Sequence, residues 1–136
     1  MPFDPDDVEK HFQVTGEERN LVDYLDKIMV NYQVLKNAEA LRRCAYEAAE
    51  DAHFDGVVYF ELRAGPLTHT SNSLSLETCI ESMLSGLKQA EEKYGIICRL
   101  IVAGLRNHSP EKNVELAKIC LQYMDCLLYT SPSPRD

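Results

Sequence analysis

The 136-residue chain has no tryptophan and no cluster of lysines or arginines. Nor does any apolar run approach the ~20 residues of a membrane span. Lys and Arg number 14 against 22 Asp and Glu, a formal net charge of −8. An acidic chain without a basic patch predicts no binding to nucleic acid or to an anionic membrane. Met1-Pro2-Phe3-Asp4 lacks the basic n-region that opens a secretory signal. Five cysteines include no CxxC pair, which argues against a zinc knuckle or a dithiol redox motif. Cys44, Cys79, Cys98 and Cys120 fall within apolar periodic segments, so they are expected to be buried free thiols in a reducing, cytoplasmic compartment. The four histidines, His11, His53, His69 and His108, form no HxH, HExxH or HxxxH spacing. No metal ligand and no catalytic residue is therefore assigned within the chain.

What is present begins with Val57 to His69, VVYFELRAGPLTH. A continuous apolar run rich in Val, Tyr and Phe predicts a strand over Val57–Arg63, covered on both faces. Pro66 has no amide to donate to a ladder, so the strand ends before it. Glu61 and Arg63 share one face at period two near the C-terminal end of the strand. They read either as a structural ion pair or as part of a site.

The surrounding segments alternate. Asn20 caps a predicted helix with Leu21, Tyr24, Leu25 and Ile28 on one face. A second helix starts at Asn37, with Leu41, Cys44, Ala45, Ala48 and Ala52 expected inward and Gly56 just beyond its end. Ser75 opens a long helix with Cys79, Ile80, Met83, Leu84 and Leu87 inward, and Gly95 ends it. Ile96 to about Ala103 reads as the next strand. Ser109-Pro110-Glu111 is a helix start, and that helix carries apolar Val114, Ala117, Cys120 and Leu121. Strands separated by helices of this length imply right-handed crossovers and a parallel sheet.

Several of these segments resemble the adenosine deaminase family of zinc hydrolases. The series runs from Glu39-Ala40-Leu41-Arg42-Arg43 through Asp55-Gly56 into the VVYFELR strand. It continues with Leu74-Ser75-Leu76-Glu77, Glu91-Glu92-Lys93-Tyr94-Gly95-Ile96, Leu105-Arg106 and Ser109-Pro110-Glu111. The resemblance implies an α/β fold forming part of a TIM (β/α)8 barrel: two parallel strands with their helices, plus an N-terminal helical pair. A whole barrel needs ~250 residues, about twice what is here. The resemblance also implies one zinc ion in the full-length protein, held by an HxH pair, a later His and a later Asp, with a Glu as general acid/base. None of these ligands is in this chain, so the first strand is expected before Met1 and the other sites after Asp125.

What carries over is a wall of the pocket. In the family, a helix between the first two strands lays apolar side chains over a purine nucleoside, and its positions match Leu21, Tyr24, Leu25 and Ile28. These are the substrate-binding residues expected here, against the simpler reading of a packed stripe. Arg63, Arg106 and His69 are expected to shape the rim or its loops rather than touch substrate. Asn107 stands where the family often has His, and His108 follows one residue later. The C-terminal CLLYTSPSPRD resembles, over all eleven residues, the translation of a sequencing-library adaptor. Residues 1–125 are then the partial barrel domain, and 126–136 an artefactual tail expected to be disordered. The implied activity is hydrolytic deamination of adenosine or deoxyadenosine. Deamination of adenine or another aminopurine, and a non-catalytic βα scaffold, are the alternatives.

Overall fold

The computed structural model describes residues 16–125 and the backbone of 127–131. It divides into two compact units, residues 1–35 and 36–136. In the first unit, α1 (Leu21–Met29) and the single turn α2 (Asn31–Val34) form the N-terminal helical pair. Asn20 starts α1, its side-chain oxygen accepting from the amides of Val22 at 2.8 Å and Asp23 at 3.0 Å. Those two donors would otherwise be orphaned at the helix end. No residue of α1 is buried.

The second unit holds α3 (Ala38–Phe54), β1 (Tyr59–Ala64), α4 (Leu76–Tyr94), β2 (Ile97–Ala103), α5 (Pro110–Cys120) and β3 (Leu127–Ser131). Asn37, Ser75 and Ser109 cap the three helices through their side chains. α3 closes on a Schellman turn, with the Gly56 amide donating to His53 O and the Val57 amide to Ala52 O. Gly56 takes φ +86° there, and Gly95 takes φ +73° after α4. Both need the left-handed region that glycine enters without penalty.

The strands run parallel in the order β1-β2-β3, with Phe60 opposite Cys98 and Leu62 opposite Leu100. This is the expected parallel pair, and the sheet does not close. β3 joins β2 with an irregularity beside Leu100. Its residues 127–131 lie along the edge of β2 that β1 leaves unpaired.

Two expectations about burial need correction, and a third helix shows which of its apolar residues are covered. β1 is not covered on both faces, because Phe60, Leu62 and Ala64 are half-buried while Tyr59, Glu61 and Arg63 are exposed. The alternation in β1 leaves one face of the strand half-buried and the other exposed. Cys44 is exposed, whereas Cys79, Cys98 and Cys120 are buried free thiols. At ~100° per residue, the Leu41-Ala45-Ala49 stripe that α3 buries leaves Cys44 well off its centre line. α5 buries Leu116, Ile119 and Cys120, leaving Val114 54% and Leu121 69% exposed. That helix has two apolar faces, and only the one carrying Leu116, Ile119 and Cys120 is buried.

α3 and α4 meet closely at Gly86, where an added Cβ would stand 2.1 Å from the Arg42 carbonyl oxygen. At the far end of the pair, the Tyr46 hydroxyl donates to Glu50 at 3.1 Å, and the Lys93 ammonium donates to the Tyr46 hydroxyl at 2.8 Å. The Tyr94 hydroxyl also donates to Glu50. This hydrogen bond, first among several, holds the Glu50 carboxyl below the usual range, while the same carboxylate pushes Tyr94 up to about 12. Among the described residues, no helix is long and apolar enough to cross a membrane.

Candidate functional site

The C-terminal ends of β1 and β2 lie side by side, with Arg63 in register with Ile101 and Ala64 with Val102. In a parallel α/β sheet, ligands meet the chain at this end, on the loops that lead into the helices. The loop after β1 folds tightly. Pro66–Thr68 forms a 3₁₀ turn, the Thr68 hydroxyl donates to Gly65 O at 2.7 Å, and the His69 amide donates to Pro66 O at 3.0 Å. Pro66 is buried, and so is His69, which is only 9% exposed. Sequence reasoning treated His69 as a loop residue and did not foresee its burial. A Gly-Pro-Leu-Thr turn that carries the next side chain back inward is the one local signal.

The loop after β2 is held by a residue that sequence reasoning missed. Asn113, in the first turn of α5, donates from its amide nitrogen to Leu105 O at 3.0 Å. Its oxygen lies where a Cβ on Gly104 would come within 2.9 Å, so a side chain at 104 would displace the Asn113 amide. Asparagine near a helix start often bonds locally rather than facing solvent, which was the available clue. The two loops touch: an added Cβ on Gly65 would meet Leu105 Cδ1 at 3.1 Å. His108 Nδ1 and Asn113 Oδ1 are buried with no hydrogen-bond partner among the described residues. Arg63 and Arg106 are both exposed on this rim. Glu61, lower on β1, accepts from the Tyr59 hydroxyl at 3.0 Å, a bond that raises the Tyr59 pKa.

The stripe matched to a substrate-covering helix lies in the first unit. Leu21, Tyr24 and Leu25 are 68%, 41% and 44% exposed, and Ile28 is half-buried. These four share one face of α1, as their spacing requires. Among the described residues no group of three or more His, Cys, Asp or Glu side chains is placed to hold a metal ion. The residues described therefore do not fit a zinc centre.

The family profile described as "Adenosine deaminase" matches residues 1–128. The chain belongs to the adenosine deaminase family. It is similar to an adenosine deaminase of Vibrio atlanticus, 39% identical over 106 residues, covering 78% of this chain and 32% of that protein. Among solved structures it resembles adenine deaminase from Arthrobacter aurescens, with a TM-score of 0.80 and 25% identity over all of this chain and 41% of the other. It also shares the fold of an amidohydrolase from Burkholderia ambifaria solved with bound Zn, with a TM-score of 0.80 and 20% identity over 99% of this chain and 37% of the other. The chain spans about a third of the length of the curated Vibrio relative. The open parallel sheet is what a third of this family's barrel should look like.

Proposed function

We propose that the complete protein carrying this segment is a zinc-dependent hydrolase that converts adenosine or deoxyadenosine to the inosine product and ammonia. The observation that carries the reading is the family match across residues 1–128, supported by the Vibrio adenosine deaminase. The zinc is proposed from the family and the Zn-bound structural relative. Its ligands are assigned to residues outside this chain, since the described residues do not fit it. The proposed ligand is a small-molecule purine and the proposed compartment the cytoplasm. Adenine as substrate is the second reading, favoured by the Arthrobacter relative. A binding scaffold made of βα units alone is disfavoured by its open sheet edges.

The 136-residue chain by itself is expected to show no deamination with added zinc, measured as the absorbance change that accompanies loss of adenosine. Turnover that a chelator abolishes would overturn the placement of the centre outside it. Adenosine and adenine offered to the complete protein then separate the two substrate readings.

Leu21, Tyr24, Leu25 and Ile28 are proposed to cover the purine. The support is their single face and the absence of any buried residue on α1. Tyr24→Ala in the complete protein should raise KM more than it lowers kcat, as expected for a contact equal in ground and transition states. A packing role predicts instead a stability loss of about 3–5 kcal/mol with unchanged KM. Melting and steady-state kinetics on that one variant distinguish the outcomes, and a large fall in Tm with unaltered KM would sink the covering role.

A further inference from the structure

We propose that Glu91 and Arg99 form a side-chain clasp that takes the place of a strand at the start of the β2 edge. The strand that follows α5 then pairs with β2 only from Leu100 onward. This concerns how the sheet is extended and goes beyond the substrate reading above.

An extended strand offers the N–H and C=O of successive residues to opposite edges. The Ile97 amide donates to Val58 O at 3.0 Å and so belongs to the β1 side. Cys98, the next residue, turns both of its backbone groups to the other edge, where side chains already hold them. Glu91 Oε1 accepts from the Cys98 amide at 2.7 Å, and Arg99 Nη1 donates to Cys98 O at 2.6 Å. The same Arg99 nitrogen donates to the same Glu91 oxygen at 3.2 Å, which closes the ring. A carboxylate and a guanidinium thus supply the acceptor and the donor that a neighbouring backbone would supply. The ladder between β2 and β3 agrees with this limit, since it begins at Leu100 and runs to Ala103.

The helix itself does not favour Glu91 in this place. Glu91 stands in the last turn of α4, where the dipole opposes a carboxylate and favours a cation such as Lys93. The Glu91 and Arg99 side chains are 34% and 38% exposed, so attraction between the two charges alone is modest. Their bonds to the Cys98 backbone make the arrangement specific, because an edge amide beside a buried side chain is costly without an acceptor. The consequence is register. A slip of one residue turns a strand's whole inward set of side chains outward. A stop at Cys98 fixes the first pair at Leu100. It thereby fixes which residues of the strand after α5 reach the C-terminal end of the sheet, where ligands meet this fold.

A crystal structure of the complete protein tests the clasp without any substitution. The expected result is Glu91 Oε1 on the Cys98 amide, with the neighbouring strand first paired at Leu100. A backbone carbonyl of that strand on the Cys98 amide overturns the proposal. Amide hydrogen exchange on the same protein measures the strength of the clasp. Glu91→Ala should speed exchange at Cys98 by about tenfold or more, the scale of one hydrogen bond to a charged group. Exchange at Ile97, bonded to β1, should not change, and Glu91→Gln, which keeps an acceptor oxygen, should retain most of the protection. Exchange at Cys98 unmoved in both Glu91→Ala and Arg99→Ala overturns the proposal, because a strand would then be holding that amide. Faster exchange at Ile97 as well signals general unfolding of the variant, and the crystallographic partner of the Cys98 amide then supports or overturns the clasp.

Discussion

Gly86→Val is expected to separate α3 from α4 and to cost about 3 kcal/mol or more, at the upper end of what overpacking does. The reason is the identity of the obstructing atoms. A Cβ at position 86 would stand 2.1 Å from Arg42 O and 3.0 Å from both Arg42 C and Tyr46 N. These are backbone atoms, so no rotamer change relieves the overlap and the helix axes must move apart. The buried stripe of Leu41, Ala45 and Ala49 then loses close packing along its length. The hydrogen bonds joining Tyr46, Glu50, Lys93 and Tyr94 across the same pair would be stretched as well. A urea titration followed by circular dichroism, parent against variant, measures the loss. A midpoint unchanged within error would show that the two helices do not approach as closely as described.

The second large effect is expected at Leu100. Its side chain is fully buried on the helix-facing side of β2, opposite Leu62. Leu100→Ala should destabilise the second unit by about 2–5 kcal/mol, the range for deleting buried methyl groups with partial collapse of the space left. Val114→Ala is the paired control, because Val114 is apolar yet exposed. It should shift stability by no more than about 0.5 kcal/mol. Chemical denaturation of both variants checks the pair together. A loss at Val114 comparable with that at Leu100 would show that this face of α5 is packed.

Local grammar was legible in the chain. Asn20, Asn37, Ser75 and Ser109 mark the helix starts because their side chains accept the first unpaired amides. Gly56 and Gly95 mark the ends because only glycine enters positive φ without strain. The parallel pairing of β1 and β2 followed from the helix between them, and the family from the ordered series of segments along the chain. Each of these depends on interactions within a few residues, or on the alternation of element types, and a sequence displays both directly.

Which apolar face meets which neighbour was decided only in three dimensions. Periodicity places Cys44 beside the α3 stripe and Val114 on a face of α5, but burial depends on what stands opposite, and packing against the sheet and Gly86 left both outside. The same holds on the rim. His69 is buried although it sits in a polar loop, and Asn113 bonds back to Leu105 O across the bend of the β2 loop, a detail of loop geometry that periodicity does not encode. Sequence determined where each element begins, ends and points along the chain. Tertiary structure decided which side chains leave water, because burial is a property of the pair in contact and not of either partner alone.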